Sequence, residues 1–500
     1  MKYFYVYPDP ISRSFWAVLV AAMFMMAWFL TYLLYMRFAD MPTRITIENQ
    51  YESIKDLPYP TITICSPNKI TIAAVHHLNK TLVDGNVTAD LDRIIPIVLG
   101  FYDPALQSSD DTAHQLQSLI DLNRYTTTEV MAMLPQQCDE FLQMCQLGHT
   151  RYPHCRGLFD PVLTTYGLCC SFNSKYHYVK SNKRNEVKAN FTSRLAFSSS
   201  LNNAFTVVVD YNPAGAIDRT ILAAGGIRYM SKVLFTDHTE FPAEDVSNLV
   251  LTNTESLHII HATHTYCSED VKVLPVSSRK CYLQDERHLP YFHDYHNSDC
   301  DHVCFADSIK NYCGCELFYL PYVRLTHVCN ASKIKCIGET KRHYCDCELF
   351  YLPNVRLTHV CNASKIKCIG ETKLSRHPPQ KASTCKCLRD CESRRYTVEL
   401  STGNLDALPY MFNDMYRDIK FNKSTAIMHF FFPNSVYVKQ KQETVISIVT
   451  LASNLGGVFG LCVGVSFISA LELPFYIYMA IKNNIKYQMR KRSGRIVHLK

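Results

Sequence analysis

Apolar positions along the 500-residue chain gather into two long runs near its ends, with short alternating runs between them. The first run, Ser14 to Met36, holds 23 residues without a charge. As a helix rising ~1.5 Å per residue it exceeds the ~30 Å hydrocarbon core of a bilayer, which predicts a membrane span. A signal peptide would carry an apolar run of only about 7 to 15 residues before a small-residue cleavage site, and neither feature is evident. The second run is uncharged from Thr444 to Leu471 and continues past Glu472 to Ile481. A continuous helix over it would be ~57 Å long, so the segment is steeply tilted, extends beyond the membrane or is interrupted. Its glycines favour interruption.

Between the spans the pattern is mostly of period two. "YPTITIC" (59–65), "AFTVVVDY" (204–211), "LHIIHATHTY" (257–266) and "RRYTVEL" (394–400) alternate and are rich in β-branched residues, which predicts strands. Polar, proline-poor stretches such as Thr112 to Met133 allow helices. The expected fold class is a two-span α-helical membrane protein with a large disulfide-rich α+β ectodomain, β-rich in its core with helical insertions. The expected divisions are a short cytoplasmic segment 1–13, a first transmembrane helix 14–36, an extracellular domain 37–443, a second span 444–481 and a basic tail 482–500.

One stretch is written twice. Tyr312–Lys341 recurs as Tyr344–Lys373 with four cysteines each time, differing only at Gly314/Asp346 and Tyr322/Asn354. Solenoids need about three or more units that drift in sequence, so a single near-perfect doubling reads as recent. Tandem or mutually exclusive exons read together in one transcript would produce it, with a real insertion as the alternative.

Charge and cysteines set the topology. The tail carries Lys482, Lys486, Arg490, Lys491, Arg492, Arg495 and Lys500 with no acid, a cytoplasmic signature. With two spans both termini are then cytoplasmic, and the plasma membrane is crossed more than once. The tail and first residues account for the net +7, so no basic face is left for nucleic acid, and the tail suits anionic inner-leaflet lipid. Of 22 cysteines, 21 lie between Cys65 and Cys391, which outside the cell reads as a disulfide framework and not as thiolate zinc sites. Six N-x-S/T acceptors, Asn79, Asn86, Asn190, Asn330, Asn362 and Asn422, fall in the same region.

The second span carries the candidate chemistry. Ala452, Gly456, Gly460 and Gly464 recur every four residues and leave one helix stripe almost bare. A small-residue packing face between two membrane helices is one reading. The other is a pore, in which several copies surround an axis and backbone carbonyls at Gly464, Val465 and Ser466 replace water around a small cation. Ser453 and Asn454 place polar groups where lipid does not favour them, and Glu472 is ionisable near the inner end, where a carboxylate ring would attract cations. Snorkelling of Glu472 to the interface is the alternative for that residue.

With these residues in view the chain resembles the degenerin/epithelial sodium channel superfamily along nearly its whole length. The resemblance rests on the aromatic first span, "YPTITICSPNK", "GLCCSFN" (167–173), "SRKCYLQDE" (278–286), "YCGC…LP", "CKCLRDC" (385–391) and "NLGGVFGLCVGVSFISALELPFY", taken in that order. The doubled cysteine of "GLCC" suggests the insect pickpocket branch. The resemblance implies a homo- or heterotrimeric, sodium-preferring, voltage-independent, often amiloride-blocked channel gated through its ectodomain. Sodium is the conducted ion and no cofactor is implied. Carried over by position, Gly464, Val465 and Ser466 match the G/S-x-S filter, Ser453 the small residue governing the gate, and Glu472 the acid after the filter. Asn454, Gly456 and Gly460 lie in the same pore and gate segment. The implied bridges are Cys281–Cys391, Cys300–Cys387, Cys304–Cys385, Cys313–Cys336, Cys315–Cys329, Cys65–Cys169 and Cys138–Cys145. Parity adds Cys155–Cys170, and the second copy would repeat its nested pair as Cys345–Cys368 and Cys347–Cys361. Cys267 is then odd, and Cys462 is a small apolar residue in the span.

Two departures stand out. The family's His-Gly gating motif precedes its first span, whereas "MKYFYVYPDPISR" here has none, which is read as a missing start, with impaired gating as the alternative. Pro474 follows Glu472 closely and bends or ends the helix there. Rival functions are weaker. An ATP-gated two-span channel needs lysine-centred phosphate sites and another cysteine spacing, and a two-span receptor or adhesion protein has no use for a small-residue stripe ending in G-x-S. An ectoenzyme would have to use "HLPYFHDYH" (His288, His293, Asp294, His296), which is otherwise surface histidine or a proton sensor. The activating stimulus is not legible.

Overall fold

A computed structural model of the chain describes residues 10–40, 43–81, 94–102, 110–196, 199–217, 230–242, 247–344, 385–407, 416, 419, 421–445, 448–464, 474–475, 477–479 and 481–485. Two compact units are present, Met1–Thr46 with Cys267–Arg279 and Gln442–Lys500, and Ile47–Tyr266 with Lys280–Lys441.

The larger unit is β-rich. In chain order the strands are β1 (Thr43–Ser53), β2 (Thr61–Cys65), β3 (Leu142–Leu147), β4 (Thr150–Pro153), β5 (Phe159–Thr164), β6 (Gly167–Phe172), β7 (Tyr176–Val179), β8 (Arg184–Val187) and β9 (Phe205–Asp210). They continue as β10 (Met230–Thr236), β11 (Ser247–Leu251), β12 (Thr254–Cys267), β13 (Cys281–Tyr282), β14 (Arg389–Asp390), β15 (Ser393–Asn404), β16 (Thr425–Phe431) and β17 (Val436–Thr444). One sheet runs β1-β17-β12-β16-β9-β3-β4 with β15 also on β12, and a second runs β11-β10-β2-β6-β5. All four strands expected from alternation are present, at β2, β9, β12 and β15.

An aromatic and aliphatic core built from both sheets includes Tyr59, Ile62, Phe172, Phe205, Ile260 and Phe430. Every residue of β2 is buried, so its threonines need partners. Thr63 Oγ1 meets Ser171 Oγ at 2.8 Å, and Thr61 Oγ1 donates to the Asn173 carbonyl at 2.9 Å.

Helices cover a second core. The stretch 112–133 forms two of them, α3 (Asp110–Leu122) and α4 (Thr127–Met133), after α1 (Pro10–Asp40) and α2 (Ile72–Thr81). They divide because Thr126 caps α4 in a capping box with Glu129. Beyond them lie α5 (Asn297–Cys313) and α6 (Ile334–Tyr344). The first copy of the doubled segment fills this core: Phe318 meets Phe101 and Tyr102 edge-on at 5.9 and 6.2 Å. A Cβ on Gly100 would lie 2.5 Å from Ile334 Cγ2, so glycine is needed where that helix approaches.

Among the described residues eight disulfides staple the unit. Cys65–Cys169, Cys281–Cys391, Cys300–Cys387, Cys304–Cys385, Cys313–Cys336 and Cys315–Cys329 form as expected from the resemblance. The expected Cys138–Cys145 and Cys155–Cys170 do not form; the pairs are Cys138–Cys170 and Cys145–Cys155. Strand geometry explains the exchange. Neighbouring Cys169 and Cys170 on β6 point to opposite faces, so Cys169 reaches Cys65 on β2 while Cys170 turns to Cys138 in the other core. In the β3–β4 hairpin Cys145 lies opposite Tyr152, and Cys155, in a left-handed conformation just past β4, returns to it with a Cα separation of 4.9 Å.

Asn79, Asn190 and Asn422 are exposed and Asn330 is half-buried. Asn86, Asn362, Cys345, Cys347, Cys361 and Cys368 lie outside the described residues, as does nearly all of the second copy.

Candidate pore segment

The smaller unit holds α1 and α7 (Ile448–Val463). Helix α1 begins at Pro10, where a missing N–H costs nothing, and its uncharged part is apolar on all sides. It is the one described helix long and apolar enough to cross a membrane, over Ser14–Arg37. Helix α7 starts later than the expected Thr444, because β17 continues through Thr444 and holds that stretch in a ladder.

Helix α7 packs on α1. The less exposed residues of α7 are Leu451, Leu455, Val458 and Cys462, spaced by three or four along one face, and those of α1 are Trp16, Ala17, Met23, Ala27, Leu30, Thr31 and Leu34. Ala452, Ser453, Asn454, Gly456, Gly457 and Gly460 are all exposed. At about 100° per residue the Ala452/Gly456/Gly460 stripe is centred roughly 130° round from the α1-facing side. A Cβ on Gly456 or Gly457 would meet nothing within 4 Å. The bare stripe is therefore not the α1–α7 contact, which larger side chains make.

Gly464 ends the helix. Its φ is +68°, its N–H donates to the Gly460 carbonyl at 3.1 Å, and a Cβ there would meet nothing within 4 Å. Glycine is the residue that takes the left-handed conformation without strain, so the chain leaves α7 at the first residue of G-V-S. Val465, Ser466 and Glu472 lie outside the described residues; helix is described again at 474–475, 477–479 and 481–485.

Sequence reasoning missed the brace at the entry to this segment. Gln442 is 1% exposed, and its amide donates to Thr43 Oγ1 at 2.9 Å and to the Arg279 carbonyl at 3.4 Å. Its backbone carbonyl accepts from the Ser268 N–H, and Cys267 Sγ lies 3.5 Å from its side-chain Oε1. Arg279, 2% exposed, donates to the carbonyls of Lys272 and Leu274. Arg44 pairs with Glu443 at 2.8 Å. The residues just before α7, just after α1 and in the 267–279 crossing are thus tied by side-chain bonds that leave no periodic trace in sequence.

The histidine run does not build a metal site. His293 pairs with Asp294 at 2.7 Å, Asp294 also takes Lys175 at 2.7 Å, and His296 Nε2 faces Thr239 Oγ1 at 3.1 Å. Burial works against the Asp294 charge, but Lys175 and His293 outweigh it and hold the carboxyl below its usual range. Among the described residues these histidines do not converge as metal ligands.

Comparison with known proteins decides the family. The profile described as amiloride-sensitive sodium channel matches residues 1–344 and 342–476. The chain belongs to that family. The family is one of ion channels, not enzymes. The two matched stretches meet at the seam between the two copies, so each contains one whole copy. Among its relatives, Sodium channel protein Nach of Drosophila melanogaster is 25% identical over 498 residues, covering 97% of this chain and 85% of the relative. Pickpocket protein 28 of Drosophila melanogaster is 22% identical over 482 residues, covering 89% and 70%. Acid-sensing ion channel 4-B of Danio rerio is 27% identical over 456 residues, covering 89% and 67%. The chain is thus similar to insect pickpocket-like subunits, as the "GLCC" variant suggested.

Proposed function

We propose that the chain is a subunit of a sodium-preferring, amiloride-blocked, voltage-independent cation channel in the plasma membrane, gated through its ectodomain. It crosses the membrane twice, at 14–36 and in a second span that begins with α7 at Ile448 and runs to 481, with both termini cytoplasmic, and assembles as a trimer with itself or with related subunits. Gly464, Val465 and Ser466 form the filter, Ser453 and Asn454 stand at the gate, Gly456 and Gly460 line the approach, and Glu472 draws cations below the filter.

The observation that carries this reading is the bare face of α7. Its small and polar residues point away from α1 and run to a left-handed glycine at the start of G-V-S. A helix that needed its glycines for packing on α1 would turn them inward. Backbone left uncovered on the opposite face suits close approach around an axis and carbonyl contact with a partly dehydrated ion. Names of the relatives, which include sodium and acid-sensing channels, point the same way.

The test is voltage clamp of cells expressing the chain alone and with sister subunits. Inward current carried by external sodium and blocked by amiloride is expected. Absence of current with every partner, despite surface delivery, contradicts the proposal.

A further inference from the structure

The two copies of the doubled segment differ at two places, and both fall on the same kind of backbone. Within Tyr312–Lys341 the positions with positive φ are Gly314, at +69°, and Tyr322, at +56°. The second copy has Asp346 and Asn354 there. Everything that fills the slot is shared. Phe318, Ile334 and the four bridged cysteines recur, and so does Tyr319, whose carbonyl accepts from Asn185 Nδ2 at 2.7 Å.

The two differing positions sit at the rim. Gly314 ends α5 by donating to the Lys310 carbonyl at 3.0 Å, and a Cβ there meets nothing within 4 Å, so aspartate fits the space and meets only the backbone preference. Tyr322 is 45% exposed and clasps the β7–β8 hairpin. Its hydroxyl accepts the Val187 N–H at 3.1 Å, and the Arg184 guanidinium lies over its ring at 5.7 Å. Tyrosine is a poor left-handed residue and asparagine a good one, but asparagine is too short to reach Val187 or stack under Arg184. Aspartate at the Gly314 position and asparagine at the Tyr322 position would thus give up the contacts with Val187 and Arg184 for a relaxed backbone, and leave the slot's filling untouched.

We infer that the fold has one slot for this module, that residues 344–373 are an alternative occupant of it, and that exchanging the occupants sets whether the side chain at the Tyr322 position clasps Arg184 and Val187 of β8, the backbone bonds to Asn185 being common to both. The family profile supports this independently, since each of its two matched stretches contains one whole copy.

Two shortened chains test it, one lacking residues 312–343 and the other lacking 342–373. Each loses 32 residues, and the products differ from one another only at the two positions in question. Disulfide mapping reads the slot, and hydrogen exchange of the peptide containing Val187 reads the clasp. Both chains are expected to form the nested bridge pair and the three outer rungs. The Val187 amide is expected to exchange about tenfold faster in the chain with aspartate and asparagine, as loss of one hydrogen bond implies. Tyr322→Phe in the other chain isolates the hydroxyl and should give a similar acceleration. Failure of either shortened chain to form the nested pair and rungs, while the 500-residue chain forms them, overturns the single slot. Equal Val187 exchange in all three overturns the clasp.

Discussion

Acid should loosen this fold through His258, by an amount the structure fixes. The ring lies on β12 with its side chain fully buried, stacked on Phe430 with centroids 4.7 Å apart. Asn248 on β11 faces Nδ1 at 3.2 Å and Ser256 faces Nε2 at 3.2 Å, an arrangement that suits the neutral ring with its proton on Nε2. Phe235 on β10 and His429 on β16 complete the surroundings. Burial first, and the neighbouring His429 second, push the His258 pKa down to about 3.

The folded state therefore binds the neutral form, while the unfolded chain titrates near 6.5. Stability from this group is complete above about pH 6.5, falls as pH drops and levels off only below about 3. Between pH 7 and 5 linkage removes about 2 kcal/mol. For a domain of roughly 400 residues that lowers Tm by about 2 to 3 °C. The assay is calorimetry of the purified, detergent-solubilised chain and of His258→Gln at the two pH values. The drop in Tm from pH 7 to 5 should be about 2 to 3 °C larger in the parent than in the variant, the other titrating groups being common to both. Equal drops would refute the reasoning.

Three further outcomes are expected. Asn185→Ala removes the bonds to Leu163 N, Leu163 O and Tyr319 O from a fully buried site, so it should cost about 2 to 4 kcal/mol in thermal unfolding. Glycopeptide mass spectrometry should find Asn79, Asn190 and Asn422 occupied and Asn330 less so. Asn330 is half-buried beside bridged Cys329, with its acceptor Ser332 hydroxyl bonded to His114 at 3.1 Å. Gly464→Ala meets no clash but carries about 1 to 2 kcal/mol of left-handed strain, which extending α7 relieves. Sodium over potassium selectivity should therefore fall at unchanged surface delivery.

Much of the architecture is legible in the sequence because it is written in periods. The uncharged run at Ser14–Met36 gave a helix, and the alternating runs gave β2, β9, β12 and β15, since each depends on which residues face the core. That the second span is interrupted was expected from its glycines, but not at which one; the left-handed φ of Gly464 ends α7. What escaped depends on folding back in space. Pairing of Cys138, Cys145, Cys155 and Cys170 follows from which face of β6 each cysteine meets, and spacing along the chain does not carry that. The Gln442 and Arg279 brace joins segments more than 160 residues apart in sequence. Nor does a stripe of small residues say which way it points. Only the packing of Leu451, Leu455 and Val458 on α1 separates an internal contact from an open face.

The reversal potential under ion replacement tests the central claim most directly. In cells where the chain reaches the surface with its partners, a tenfold cut in external sodium at constant potassium should move the reversal potential by about 59 mV in the negative direction. A reversal potential that instead follows external potassium, or that ignores both ions, would contradict a sodium-preferring pore built on Gly464, Val465 and Ser466.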